Sequence, residues 1–164
     1  MAGSTRREAR VALDLDRLSP MNDASLVGAW RIQSFVFTDA GGGLHYPLGK
    51  NPRGALLITP DNHLTLSFMA DNRQHFAEND LLGGSEAERA SAAASYVSFG
   101  GPCRIEGDEV IVEVEHSFHP NWTGGVQRRR FLLEGDRLTI MTTKAITVDD
   151  RSLVGRAVLM RDGA

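Results

Sequence analysis

From Leu26 onward the chain alternates apolar and polar positions over most of its length, the period-two spacing of half-buried β-strands. "AWRIQSFVFT" (Ala29 to Thr38) is rich in aromatic and β-branched residues and stops at the turn cluster "DAGGG". "RGALLIT" and "HLTLSFM" flank "PDNH", where Pro60 suits the second position of a turn and Asn62 tolerates a left-handed backbone. These two runs form a hairpin with Leu64, Leu66 and Phe68 on one face. "YVSFGGPCRI", "EVIVEVEHSF", "VQRRRFLL", "RLTIMTT" and "SLVGRAVLMR" follow. "EGD" at Glu106 to Asp108 and again at Glu134 to Asp136 marks tight hairpin turns between alternating runs. One stretch breaks the rhythm. In "GGSEAERASAAASY", Ser85 stands three residues before Glu88, the capping-box spacing, and the alanine run after it favours a helix near 85–95.

Eight strands counted from Ala29, with a single short helix among them, are the content of an all-β, eight-stranded antiparallel up-and-down barrel. A two-sheet sandwich has the same strand count and is the competing architecture. The chain of 164 residues is the size of one domain. The barrel domain is expected over 23–164. Residues 1–22 read as an N-terminal extension in which Val11, Leu13 and Leu15 alternate with polar neighbours, enough for an added edge strand.

Charge and composition remove several functions. A net charge of −3 offers no electrostatic footprint for nucleic acid. Cys103 is the sole cysteine, so neither an intrachain disulfide nor a cysteine zinc cage is available. No run of 18 apolar residues exists to cross a membrane, and Asp14, Asp16 and Arg17 interrupt any secretory core near the N-terminus. The expected compartment is therefore the reducing cytoplasm, where the "NWT" sequon at Asn121 to Thr123 goes unused. Nucleophile-elbow and phosphate-loop motifs are missing, which disfavours hydrolases, kinases and dinucleotide enzymes. No cofactor is expected.

Candidate chemistry clusters near "EVIVEVEHSFHPNWTGG". Glu109, Glu113 and Glu115 share one parity and would be costly to bury, so the face of Val110, Val112 and Val114 points inward. His116 and Phe118 share that face and so point inward toward the mouth, and His116 is the candidate general acid or base. His116 and His119 diverge at this spacing on a strand, and no metal site is expected. Tyr46 and Tyr96, the only tyrosines, are the other catalytic candidates. Phe68 and Phe118 are read as cavity wall, and Trp122 as a residue of the mouth. Arg128 and Arg130 share a face opposite Arg129. If the pair is inward it grips an anionic oxygen and is ligand-binding; if Arg129 is inward with Phe131, the pair is solvated. The apolar neighbours do not decide. The pair is carried forward as the ligand-binding candidates.

"LVGAWRIQSF" places Gly28 and Trp30 at the head of the first strand, which resembles the lipocalin signature. Together with "YPLGKNPRGALLITPDNHLTLSFM", the alanine-rich helix, "FHPNWTGGVQRRRF" and "LEGDRLTI", the chain resembles the stand-alone lipocalin-like domain family of bacteria and fungi over Leu26 to Arg161. The resemblance implies that Trp30 packs at the closed end of the barrel beneath an arginine of the last strand, Arg156 or Arg161. Trp30 is also counted among the ligand-contacting residues. It further implies a cavity for a small hydrophobic or amphipathic molecule. The extended N-terminus leaves open whether it plugs the barrel, forms a homodimer or dangles. The resemblance does not imply a reaction. A cofactor-independent isomerase or cyclase of secondary metabolism is the working expectation, ahead of a non-catalytic carrier, with an interaction module third.

Overall fold

The computed structural model describes residues 23–163; the N-terminal extension and its alternating segment lie outside the described residues. A 3-10 turn, Asp23–Ser25, leads into β1 (Gly28–Thr38), β2 (Leu44–His45), β3 (Arg53–Ile58) and β4 (His63–Met69). Helix α1 (Glu86–Ala94) precedes β5 (Tyr96–Glu106), β6 (Glu109–Glu113) and β7 (His116–Ser117). A second 3-10 turn, Pro120–Trp122, precedes β8 (Val126–Glu134), β9 (Arg137–Thr142), β10 (Ile146–Val148) and β11 (Arg151–Arg161).

Antiparallel pairing runs β1-β3-β4-β5-β6-β8-β9-β11, and β11 pairs back onto β1, so eight strands close into a barrel. Closure excludes the sandwich and removes the sheet edges. The short strands β2, β7 and β10 are additions to β1, β5 and β11. The hairpins form where the turn residues place them. Asn62 is left-handed at φ 62°, and Gly107 and Gly135 take φ 62° and 60° at the first positions of the two "EGD" turns.

Helix α1 carries a complete capping box: the Ser85 hydroxyl accepts from the Glu88 amide, and the Glu88 carboxylate accepts from the Ser85 amide. Glu88 also accepts from the Ala77 amide at 2.7 Å, tying the helix to the preceding loop. These amide hydrogen bonds, first that of Ser85 and then that of Ala77, hold its carboxyl below the usual 4.5. A lowered carboxyl pKa stabilises the fold above the unfolded value, and that contribution is lost as pH falls through the folded value. Amide exchange at residues 86–89 is accordingly expected to accelerate relative to the barrel strands as pH falls below the usual 4.5 and through the lowered folded value. Glu88→Gln should show the faster exchange already at pH 7.

Two bulges change which residues face inward. In β1 the register shifts between Ile32 and Ser34. Trp30 and Ile32 are inward before the shift, and Phe35 and Phe37 are inward after it. Between β6 and β7 the second shift occurs: Val112 pairs with Cys103, whereas His116 pairs with Gly100, leaving one extra residue on the β6–β7 side. One inserted residue inverts the parity of everything that follows.

Candidate functional site

The closed end is built around Trp30, which is 0% exposed. Its indole nitrogen donates to the Leu26 carbonyl at 2.9 Å. The Arg161 guanidinium lies 4.1 Å from the ring centroid and donates to the carbonyls of Val27 and Ser25 at 3.0 and 2.8 Å. The arginine over the tryptophan is thus Arg161, and Asp136 at 3.2 Å completes the clasp. Leu26, Leu56, Leu138 and Leu159 pack beside Trp30. Trp30 is a floor beneath the cavity and is not one of its lining residues.

Above that floor the barrel holds a cavity of about 200 Å³, smaller than the roughly 300–1,000 Å³ common for small-molecule sites. Phe35, Leu66, Phe68, Phe99, Val112 and Ile140 supply much of its wall, and Leu48, Trp122 and Ile146 also line it. Phe35 meets Phe37 and Phe68 at centroid distances of 5.1 and 6.1 Å. Trp122 stands edge-on to Phe99 at 5.7 Å, bridging the loop between β7 and β8 to the wall. Small residues keep the space open. Ala157 lies opposite Phe35, and Gly155 opposite Phe37, where an added Cβ would come within 2.8 Å of the ring.

Two polar side chains stand out on this apolar wall: Arg129 of β8 and Thr142 of β9, cross-strand partners in the register. Arg129 donates one hydrogen bond, to the Arg128 carbonyl at 2.8 Å, and lies 5.7 Å from the Phe99 ring centroid. Among the described residues no carboxylate pairs with it. Loss of water around the guanidinium pushes its pKa down to about 10, so it is still a cation at neutral pH. The Thr142 hydroxyl accepts from the Gly155 amide at 3.0 Å, which leaves its own hydrogen to donate.

Phe68 of β4 and Trp122 of the second 3-10 turn both line the cavity. The inward direction expected of His116 and Phe118 is corrected. His116 is exposed on the outer face opposite Gly100, because the extra residue before it reverses its parity. Phe118, 42% exposed, stacks edge-on against Tyr96 on the outside. Tyr96 lines the cavity, but its hydroxyl donates to Ser67 at 3.1 Å with Arg73 over its ring. Tyr46, 40% exposed, packs under Lys50 in the loop after β2 and does not line the cavity.

Arg128 and Arg130 also point outward. Arg128 pairs with Glu109 at 3.0 Å and Glu106 at 3.5 Å, and Arg130 pairs with Asp108 at 2.9 Å. Their exposure and partners make them a charged outer face, and Arg129 is the inward arginine that the alternation left undecided. The signal that finds it is cross-strand. Glu109 opposes Arg130 and Glu113 opposes Val126, so a valine-inward β6 forces the even-numbered residues of β8 outward.

Among the described residues no group of three or more histidine, cysteine, aspartate or glutamate side chains is placed to hold a metal ion. No helix among them is long and apolar enough to cross a membrane.

The sequence matches the family of lipocalin-like domains over residues 27–161. A solved lipocalin-like protein from Bacteroides uniformis aligns with 83% of this chain and 97% of its own, at 9% identity and a TM-score of 0.44. No curated protein matches the sequence. A closed eight-stranded barrel, the Trp30–Arg161 clasp and a family match across most of the chain lead to one conclusion: this chain belongs to the lipocalin-like domain family.

Proposed function

We propose that the protein binds one small, largely apolar molecule inside the barrel. The observation that carries this reading is an unfilled apolar cavity of about 200 Å³ above a tightly packed floor. A well-packed interior leaves few voids larger than a water molecule, so space of this size lined by aromatic and aliphatic groups favours an apolar guest. The test uses a neutral fluorophore, 1-aminoanthracene, titrated into the protein. One site per chain is expected, and Ala157→Phe, which places a ring in the cavity, should weaken binding at least about tenfold. Equal binding by the two proteins would reject the cavity as the site.

A second reading, favoured by Arg129, is catalysis without a cofactor: isomerisation or cyclisation of a natural-product precursor held in the barrel. A guanidinium fixed on an apolar wall stabilises an oxygen that gains negative charge during reaction more than it would in water. Holding a flexible substrate in a reactive fold adds to this. This reading assigns the chemistry to Arg129 and Thr142. His116 and Tyr46 have no geometry for it, since neither lines the cavity. Mass spectrometry of a co-purified ligand, before and after incubation with fresh protein, separates a carrier from an enzyme: a carrier returns the same mass and the same isomer.

A further inference from the structure

We infer that the guest carries a single carboxylate on an apolar body, and that Arg129 is the residue that selects it. This rests on the reading that the barrel cavity is the binding site. A cation in apolar surroundings is costly unless it is paired. Its two neighbours on β8 are each neutralised on the outer face, Arg128 by Glu109 and Arg130 by Asp108, whereas Arg129 has no carboxylate partner among the described residues. A guanidinium has five N–H donors, and among the described residues only one from Arg129 is taken up by a protein acceptor. The remaining donors form a planar fork that matches a carboxylate in two parallel hydrogen bonds. Thr142, its cross-strand partner, has a hydroxyl hydrogen left to give the same head.

The charge count narrows the class. One cation and one hydroxyl balance a monoanion, and a phosphate or dicarboxylate would bring uncompensated charge into an apolar wall. The groups packed round Arg129 support the same choice. The inward residues of β5, β6 and β9 beside it are Phe99, Val110 and Thr142, and Trp122 comes from the loop. His119 sits behind the Trp122 ring at 5.3 Å. The apolar body is left to lie against Leu66 and Phe68.

The experiment compares decanoate, decanol and decylamine by titration calorimetry, with 1-aminoanthracene as an independent reporter of the cavity. Decanoate is expected to bind at least about tenfold more tightly than decanol, and decylamine most weakly. Arg129→Met, which keeps the length of the stem, should remove that preference and raise Tm, because an unpaired cation leaves the wall. Arg129→Lys keeps the charge without the fork and should retain part of the preference. Equal affinity of the wild-type protein for decanoate and decanol overturns the proposal, as does an unchanged ratio in Arg129→Met. If Arg129→Met does not fold, the wild-type ratio decides alone. When the fluorophore binds in the cavity but no carboxylate preference appears, this inference fails and the binding reading stands. When no probe binds, both fail.

Discussion

Trp30→Ala is expected to cost about 3–5 kcal/mol, the usual range for deleting a buried aromatic from a core. Three features put it toward the upper part of that range. Trp30 is fully buried, and it carries a cation on its face and a hydrogen bond from its edge. Removing the indole leaves the Leu26 carbonyl without its donor and takes the ring away from Arg161. Arg161 is itself tied to the carbonyls of Val27 and Ser25, so the turn before β1 loosens with it. For a domain whose total stability is on the order of 5–15 kcal/mol, such a loss is close to unfolding. Urea denaturation measures it, and a midpoint within error of the wild type would show that the floor is not anchored by this residue. Trp30→Phe should fall between the two, keeping ring burial and losing the hydrogen bond.

The second large effect is Gly101→Ala. Gly101 faces the bulge between β6 and β7, and an added Cβ would lie 2.0 Å from the Glu113 carbonyl oxygen and 3.0 Å from the Glu115 nitrogen. Its φ of 158° is one that residues with a Cβ rarely adopt, so backbone strain adds to the conflict of space. Both neighbours are main-chain atoms held by other bonds. The Glu115 amide donates to the Gly100 carbonyl at 3.0 Å, the Val114 amide to Gly125 at 2.9 Å, and the Gly124 amide to Val114 at 2.8 Å. Because that backbone cannot give way cheaply, the cost is expected to exceed about 3 kcal/mol, beyond ordinary overpacking. The same bonds hold the loop that carries Trp122 against Phe99, so 1-aminoanthracene affinity should fall together with stability. Full retention of both would mean that the strand pair tolerates the shift. By contrast, Gly107→Asn, in an open hairpin turn where nothing lies within 4 Å of the new Cβ, meets only the strain of a positive φ and should cost about 1 kcal/mol.

Most of the architecture is legible without coordinates, because it rests on local chemistry. The strand runs, the two Gly-Asp hairpins, the left-handed Asn62 and the Ser85–Glu88 capping box all depend on residues a few positions apart. The inward valines of β6 are legible for the same reason: a row of carboxylates opposite them leaves one affordable orientation. Ile111, on the carboxylate side, is fully buried all the same, between Arg104 and Arg128 in the register.

The site is another matter. Alternation identifies a face only while the ladder is unbroken. One extra residue in β1 turns Phe35 and Phe37 into cavity wall, and one between β6 and β7 turns His116 and Phe118 out of it. In "VQRRRFLL" apolar side chains lie on both parities, so nothing within the strand tells Arg129 from its neighbours. By itself, then, the sequence determined the strands, the turns, the helix and the family resemblance, since each is settled by neighbours along the chain. The tertiary structure alone decided which arginine faces the cavity, which arginine covers Trp30, and that the histidine stands outside. Those outcomes depend on pairing between distant strands and on where a single residue is inserted into a ladder, which no periodicity within one strand records.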